Sequence, residues 1–315
     1  MSGTGGYLTR RLLQLIPVLF GLTVVVFALI HLIPGDPART ILGLKATPQA
    51  IAELHREWGL DKPLLSQYGL FMNRLVHGNL GNSLVFGDTT SSLIVHRLPA
   101  TIWLVAFSSV LAVLISVPLA VLAASRRNGL RDHIVRLVPL VGLGMPSFWI
   151  GIFLILFLGL RVRLFPIGGY GDGFLGHLHS MTLPSLTVAI GMTPLLIRSL
   201  RSSMLTVLQA EYVTTARSKG LPRLRLYARH VLRNALIPTV TLLGINIGYL
   251  VGGTLVVENV FALPGIGQLM IQSIFNRDFP VVQGVTLLFG LLVVSINILT
   301  DLTYTRLDPR VRFGA

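Results

Sequence analysis

The sequence predicts an all-α protein that crosses a membrane six times. Of its 315 residues, 52% are hydrophobic and only 12% are charged, about half the charged share of a typical soluble domain. The hydrophobic residues are concentrated in runs long enough to cross the roughly 30 Å hydrocarbon core of a bilayer as helices. A soluble core could not bury this much apolar surface, so the composition indicates an integral membrane protein.

The six predicted spans cover about residues 12–32, 99–123, 134–160, 184–205, 235–257 and 281–304. The first run follows Arg10 and Arg11, a pattern that a cleaved signal peptide would share. It is as long as a full span and has no small-residue cleavage site, which favours a retained helix. The centres of the spans carry Asn246, Asn297, Ser and Thr but no charge. Ion-coupled carriers usually place acidic groups or broken-helix ion sites there, so this pattern argues against such a carrier.

Residues 33–98 form the only long polar segment and predict a small ordered cap. Thr47 and Pro48 suit the N-cap and first position of a helix that ends at Gly59. A second amphipathic helix is predicted over 64–76, and turns are predicted at IPGDPA and GNLGNS. We therefore divide the chain into a first helix plus cap (1–98), a five-helix core (99–305) and a short tail (306–315).

Positive charge is concentrated on one side of the predicted topology. If both termini are cytoplasmic, that side carries seventeen basic and four acidic residues, against nine and eight on the other. This asymmetry follows the positive-inside rule and accounts for nearly all of the +14 net charge. Nucleic acid is not needed to explain it. The chain has no Cys, which excludes disulfides and thiolate metal sites.

The segment 211–238 is a basic loop between two predicted spans. The functional part of this region is expected at residues 206–234. A helix is predicted from about residue 206 to Lys219, followed by Gly220 at its C′ position and Pro222 in the first turn of a new helix. In the new helix one basic face and one apolar face are predicted, which suits a helix lying on anionic lipid. The basic face is Arg225, Arg229 and Arg233, and the apolar face is Leu224, Ala228, Val231 and Leu232.

Catalytic and metal-binding motifs are weak or absent. The sequence lacks the phosphate loop GxxxxGK[ST] and the HExxH and GxSxG motifs, so we expect no catalytic residue, no metal and no cofactor in this chain. His177 and His179 are two residues apart in a Gly-rich loop, and we interpret them as surface residues. Gly244, Gly248 and Gly252 form a small-xxx-small series that favours close helix packing, with a role in a transport pathway as the alternative.

The basic loop resembles the cytoplasmic EAA loop of permease subunits in ATP-binding-cassette (ABC) importers. Glu211, Ala216, Gly220 and Pro238 occupy that pattern, and Tyr212 departs from the Ala that names it. The resemblance extends over the chain and is closest to the first permease of the dipeptide, oligopeptide, nickel and glutathione importers. It also rests on IPGDPA, GLDKPLLSQY, GNLGNS, MPSFW, LPSLT and VENVFALPGIGQL.

The resemblance implies an importer subunit of the bacterial cytoplasmic membrane that is not itself an enzyme. It implies a homologous second permease, two ATPase subunits or one fused ATPase that bind ATP and Mg, and a solute-binding protein that meets loops 33–98 and 258–280. Residues implied in ATPase coupling are Glu211, Tyr212, Ala216, Arg217, Lys219, Gly220 and Leu221, with Arg229, His230, Arg233, Asn234 and Pro238 on the next helix. A role in helix packing or in the transport pathway is implied for Gly244, Gly248, Gly252, Pro146 and Trp149. The residues placed in the extracytoplasmic loop are Glu258, Pro264, Gly265 and Gly267.

Several functions are compatible with these residues. The leading hypothesis is import of di- or oligopeptides, and the alternative within the family is import of nickel or glutathione. A stand-alone ion-coupled carrier is the runner-up from another class, and a lipid-binding scaffold is the third. No residue in the sequence decides between the substrates, because affinity in such importers resides largely in the binding protein.

Overall fold

The computed structural model describes residues 4–32, 36–43, 46–83, 85–125 and 128–307, and these are almost entirely helical. Extended pairing in this part of the chain consists of one isolated bridge between Asn82 and Thr89. The helices are α1 (Thr4–His31), α2 (Pro37–Leu42), α3 (Pro48–Trp58), α4 (Leu64–Val76), α5 (Thr90–Ser125), α6 (Leu130–Gly144), α7 (Ser147–Leu154), α8 (Gly173–Leu208), α9 (Glu211–Ser218), α10 (Arg223–Arg225), α11 (Arg233–Val260), α12 (Ile266–Phe275) and α13 (Phe279–Leu307). Two π-helical segments follow α7 and α10 directly, at Ile155–Arg161 and Leu226–Leu232.

Five helical stretches are long and apolar enough to cross a membrane, and a bent pair brings the number to six. The bent pair is α6 with the stretch Ser147–Arg161, whose axes differ by 102°. The sequence predicts one span over 134–160, whereas the structure breaks this run at Met145 and Pro146. Met145 is extended, with φ −94° and ψ 129°, because the ring of the following proline disfavours the helical conformation. The five others are Leu13–His31, Thr90–Ser125, Gly173–Leu208, Arg223–Val260 and Phe279–Thr300.

One compact unit consists of the described residues among 4–101, together with 264–294. In this unit, α4 packs against α1 through hydrogen bonds between polar side chains. The hydroxyls of Tyr68 and Thr23 are 2.8 Å apart, and a ring nitrogen of His31 is 2.8 Å from the side-chain oxygen of Gln67. These bonds fix the cap against the first span. The same unit contains an apolar core of Ile94, Ile266, Leu269, Val281 and Val285.

Two of the cap helices, α3 and α4, begin and end where the sequence predicts, whereas α2 begins at Pro37, inside the predicted IPGDPA turn, because Asp36 caps a helix there. The hydroxyl of Thr47 accepts a hydrogen bond from the Ala50 N–H at 3.2 Å, and Gly59 closes α3 with φ 66°. The bounds of α4 equal the predicted range 64–76. Residues 33–35 of the predicted IPGDPA turn lie outside the described residues, as do residues 308–315 of the predicted tail.

The second compact unit consists of the described residues among 102–263 and 295–307, and α8 is its central helix. The most apolar window of α8 is 72% buried, against 22% for the Arg223–Val260 stretch. Two buried hydroxyls on α8 are satisfied by its own backbone: those of Thr187 and Thr193 donate to carbonyls four residues earlier. Large side chains in the core include Leu104, Met181, Leu183, Leu196, Phe261 and Leu263.

Candidate functional site at helix α9

Helix α9 is a short helix held at the end of α8 by two side chains. Val213 is fully buried and Ala216 nearly so, and the other six residues of the helix are exposed. A spacing of three residues places both buried side chains on one face. They pack on an apolar cluster formed with Ala120, Ala124, Leu200, Met204, Leu226, Val231 and Ala235. The helix is thus held by two buried side chains on one face, which we call its buried stripe, and the rest of its surface is exposed.

The start of α9 differs from the sequence prediction. A continuous helix was predicted from about residue 206, but α8 ends at Leu208 and a new helix begins at Glu211. Ala210 between them is extended, with φ −69° and ψ 142°. Glu211 is therefore the first residue of α9, where a carboxylate interacts favourably with the positive end of the helix dipole. Its side chain is exposed.

The end of α9 is a Schellman motif, as the predicted C′ glycine suggests. The Gly220 N–H donates to the Arg217 carbonyl at 3.0 Å, and the Leu221 N–H donates to the Ala216 carbonyl at 3.3 Å. Gly220 has φ 76°, a conformation that glycine adopts without strain. Leu221 and Ala216 pack in the same cluster, which is the apolar contact that accompanies this motif. Arg217 and Lys219 remain exposed.

Tyr212 connects α9 to the helix that follows. The side-chain amide of Asn234 donates to the Tyr212 hydroxyl at 2.9 Å and to the His230 carbonyl at 3.0 Å. Sequence reasoning named Tyr212 and Asn234 separately and missed their pairing. Residues 22 positions apart give no local signal of contact, so only the fold reveals it.

The helix after α9 corrects the predicted apolar face. Leu226 and Val231 are buried, whereas Leu224 is 84% exposed and Ala228 is also exposed. The reason is the π-helical segment Leu226–Leu232, whose wider turn places residues five apart on one face. The predicted basic face is present, because Arg225, Arg229 and Arg233 are all exposed. His230 is half-buried, and Pro238 lies exposed in the second turn of α11.

A cleft of about 540 Å³ opens between α9, the following helix and the end of α5. Arg217 and Arg223 lie on its walls, and Leu221, Leu224 and Tyr227 supply apolar surface. The α9 surface therefore combines exposed positive charge with an apolar recess. Such a combination suits an acidic or mixed protein surface.

A buried ion pair fixes the base of α6 against α8. Asp132 is fully buried and accepts two hydrogen bonds from the Arg201 guanidinium, both at 2.6 Å. The Asn128 N–H donates a third at 2.9 Å. From the sequence alone, both residues enter only the count of charges on the predicted cytoplasmic side. Their separation of 69 residues explains why no sequence pattern indicated the pair.

The predicted glycine series has three different environments. A methyl group on Gly244 would lie 2.2 Å from the Thr300 hydroxyl, so α11 and α13 approach closely at that point. Gly248 has the Asn297 side chain at 3.8 Å, and Gly252 has no neighbour within 4 Å. Of the other residues in this group, Pro146 stands at the bend before α7, and Trp149 is half-exposed and stacks on Phe153 at 5.6 Å.

The predicted external loop is only partly exposed. Glu258 lies in the last turn of α11 with a fully buried side chain, which corrects its placement in a loop that meets another protein. Gly265 and Gly267 are also buried, because α12 begins there, and Pro264 is exposed. His177 and His179 each contact a backbone carbonyl, of Tyr170 at 2.9 Å and of Leu164 at 3.1 Å. Among the described residues no group of three His, Cys, Asp or Glu side chains could hold a metal ion.

The fold and this site define a class of protein: a multi-span membrane subunit that presents a short anchored helix between two spans. Sequence comparison identifies the family. Residues 116–313 match the family described as binding-protein-dependent transport system inner membrane component, and residues 6–105 match its N-terminal family. The chain belongs to this family. It is a permease subunit of a binding-protein-dependent ABC importer in the bacterial inner membrane, a transporter component that acts with a solute-binding protein and ATPase partners.

Individual relatives align over nearly their whole length. A putative peptide transport system permease protein of Brucella abortus (strain 2308) is 39% identical over 307 residues, covering 96% of this chain and 98% of that protein. The dipeptide transport system permease protein DppB of Alkalihalophilus pseudofirmus is 38% identical over 332 residues, with 98% and 99% covered. The glutathione transport system permease protein GsiC of Pectobacterium atrosepticum is 38% identical over 307 residues, with the same coverage.

Solved structures show the same fold at low identity. The methionine ABC transporter MetNI in inward-facing conformations matches with a TM-score of 0.58 and 18% identity, over 69% of this chain and 96% of that chain. An amino acid ABC transporter matches with a TM-score of 0.51 and 16% identity, over 69% and 94%. At this identity the likeness describes the fold alone.

Proposed function

We propose that this permease subunit translocates di- or oligopeptides and that α9 is the element through which its ATPase partners drive it. Support for the substrate class comes from relatives named for peptides, dipeptides and glutathione, since glutathione is itself a tripeptide. Import of glutathione or nickel is the alternative within the family. Binding of labelled peptides, glutathione and Ni²⁺ to the cognate binding protein would separate these substrates.

The observation that carries the coupling role is the way α9 is mounted. Two buried side chains and a Schellman motif make the helix a rigid, compact element, while six of its eight residues face outward. Its buried stripe packs on side chains of α5, α8 and α11. A force applied to the exposed face of α9 would therefore be transmitted to three spans at once. A short helix that only covered the cluster would not need so much exposed surface.

The proposed assembly places α9 and both termini in the cytoplasm, as the charge asymmetry supports. A homologous permease completes a heterodimer, and ATP and Mg bind to the ATPase subunits. Closure of these subunits on ATP moves α9, and the spans alternate between inward- and outward-facing states. The binding protein delivers substrate to the opposite face, where the cap formed by 33–98 and the exposed part of 258–280 lie.

The test is the substitution Gly220→Leu in the complete importer. Leucine at φ 76° would be strained by about 1–2 kcal/mol, and its side chain would project from the surface that the ATPases contact. No neighbouring atom of this chain lies within 4 Å of the added Cβ, so the subunit itself can accommodate the substitution. We expect loss of ATP-driven uptake and of substrate-stimulated ATP hydrolysis, while the amount of inserted protein is unchanged. Normal transport by this variant would rule out the coupling role.

Two control variants distinguish the possible causes of a loss of uptake. Gly173 also has positive φ, at 65°, and a Cβ added there would have no neighbour within 4 Å, so Gly173→Leu introduces similar strain at the end of α8 opposite to α9. We expect it to retain uptake. Gly220→Asn adds a side chain that tolerates this conformation; loss of uptake in both Gly220 variants would indicate a blocked docking surface, and loss in Gly220→Leu alone would indicate a distorted helix end.

A further inference from the structure

A second cavity, of about 610 Å³, lies between α6 and α8 near the Asp132–Arg201 pair. It has two kinds of wall. Basic side chains of Arg136, Arg198 and Arg201 line one part, and apolar side chains including Leu137, Leu140 and Pro194 line the rest. The basic end lies where α6 begins and α8 ends, and the apolar walls continue along both helices toward their middles.

The positive charge in this cavity exceeds what the neighbouring carboxylate neutralises. Both oxygens of Asp132 are bound by Arg201 at 2.6 Å. The Arg136 Nε atom is 3.6 Å from the same carboxylate, and its guanidinium donates to the His133 ring at 2.8 Å. Arg136 keeps 42% of its side chain exposed, and Arg198 is exposed as well. Two guanidinium groups thus lie at one carboxylate, and Arg198 adds a third positive charge to the lining, which leaves the cavity attractive to an anion.

We propose that this cavity binds one anionic phospholipid. Arginine recognises phosphate through paired hydrogen bonds, and a basic pocket between spans is a suitable place for an acidic headgroup. Leu137 and Leu140 are 63% and 49% exposed and lie one turn apart along α6. The acyl chains of a lipid can therefore cover them while its phosphate binds the arginines. Free phosphate would leave this apolar wall bare, whereas a phospholipid matches both parts of the cavity. This site is separate from the α9 surface and does not depend on the proposed substrate.

The test uses the full-length chain in detergent and native mass spectrometry. Bound lipid is counted after addition of phosphatidylglycerol, or of phosphatidylcholine with the same acyl chains. We expect one phosphatidylglycerol to be retained in preference to phosphatidylcholine. In the variant Arg136→Gln/Arg198→Gln its affinity should fall by about tenfold or more, as expected for the loss of at least one charge-assisted hydrogen bond. Arg201 is left intact because its removal would leave Asp132 buried without its main partner.

The matched control is Arg161→Gln/Arg163→Gln, which removes the same charge from an exposed surface outside this cavity. It should retain the lipid. Equal retention of phosphatidylcholine, or wild-type retention by Arg136→Gln/Arg198→Gln, would overturn the proposal. Displacement of the lipid by millimolar inorganic phosphate would identify a free-anion site instead. If the cavity variant keeps its lipid but loses co-purifying ATPase, the cavity is a protein contact and the lipid assignment is wrong.

Discussion

At the residue scale, the cap contains a histidine held between two carboxylates. A ring nitrogen of His55 lies 2.8 Å from the Asp36 carboxylate, and the other lies 3.1 Å from Asp61. The hydrogen bond to Asp36, followed by that to Asp61, raises the pKa of His55 above its ordinary value of 6.5. Asp36 also caps α2 by accepting from the Ala38 N–H at 2.9 Å. Protonation of His55 therefore stabilises the packing of α2 against α3.

This arrangement predicts a pH-dependent contribution to stability. Because the folded-state pKa is raised, the contribution is fully present below pH 6.5 and is lost as the pH rises through the folded-state value. The variant His55→Gln keeps a donor but does not titrate. The difference in thermal unfolding midpoint between wild type and variant should be larger at pH about 5.5 than at pH about 8. A difference that is constant, or that grows with pH, would show that protonation of His55 does not stabilise the cap.

At the element scale, the close approach of α11 and α13 depends on the absence of a side chain at Gly244. Gly244→Ala would place its Cβ within 2.8 Å of three atoms of Thr300, too close for real contacts. We expect a loss of about 1–3 kcal/mol of stability from overpacking, despite the higher helix propensity of alanine. Thermal unfolding in detergent measures this loss.

The control for this prediction lies on the same helix. Gly252 has no neighbour within 4 Å, so Gly252→Ala should leave stability unchanged or raise it by up to about 1 kcal/mol. If both variants have equal midpoints, Gly244 is not a packing position. A loss of transport in Gly252→Ala without a loss of stability would instead favour the pathway role for this glycine.

Elements whose ends depend on local chemistry were predictable, and elements shaped by packing were not. Thr47 acts through its hydroxyl and Gly59 and Gly220 through their own backbone geometry, so the start and end of α3 and the end of α9 follow from the sequence. The π-helical segment before α11 has no such signal. It places Leu226 and Val231 in the core at a spacing of five. Regular helical periodicity predicts Val231 but selects Leu224 and Ala228 in place of Leu226.

The features of the candidate site likewise fall into those that the sequence predicts and those that only the fold reveals. The family pattern located α9, and glycine chemistry located its end. The Tyr212–Asn234 bond and the buried stripe of α9 arise from the meeting of three helices. Such contacts join residues that are distant in sequence, and they become visible only when the fold is known.

At the scale of the whole molecule, most spans are incompletely buried by the chain itself. The apolar windows of α1, α5 and α13 are 17%, 28% and 28% buried, compared with 72% for α8. Only α8 among these helices is enclosed mainly by its own chain. The large remaining apolar surface suits contact with lipid and with a second permease, as expected of one subunit in a larger importer.

The positions of the buried acidic residues favour an importer subunit over a stand-alone carrier. Asp132 and Glu258 are fully buried, but they lie in the first turn of α6 and the last turn of α11. Asp132 is bound by Arg201 on both oxygens, so it is fixed as a structural anion. A proton-coupled carrier needs an acid that binds and releases protons along its pathway, and the described spans place neither acid near a helix centre.

This argument predicts the behaviour of the chain in liposomes. Reconstituted alone, it should show no uptake of labelled peptide in response to an imposed proton or sodium gradient. With the second permease, the ATPases and the binding protein, uptake should require ATP and should persist when ionophores collapse the gradients. Vesicles containing all subunits but a non-hydrolysable nucleotide provide the matched control. Gradient-driven uptake by the isolated chain would contradict the importer mechanism and favour a carrier, with Asp132 and Glu258 as the first residues to neutralise.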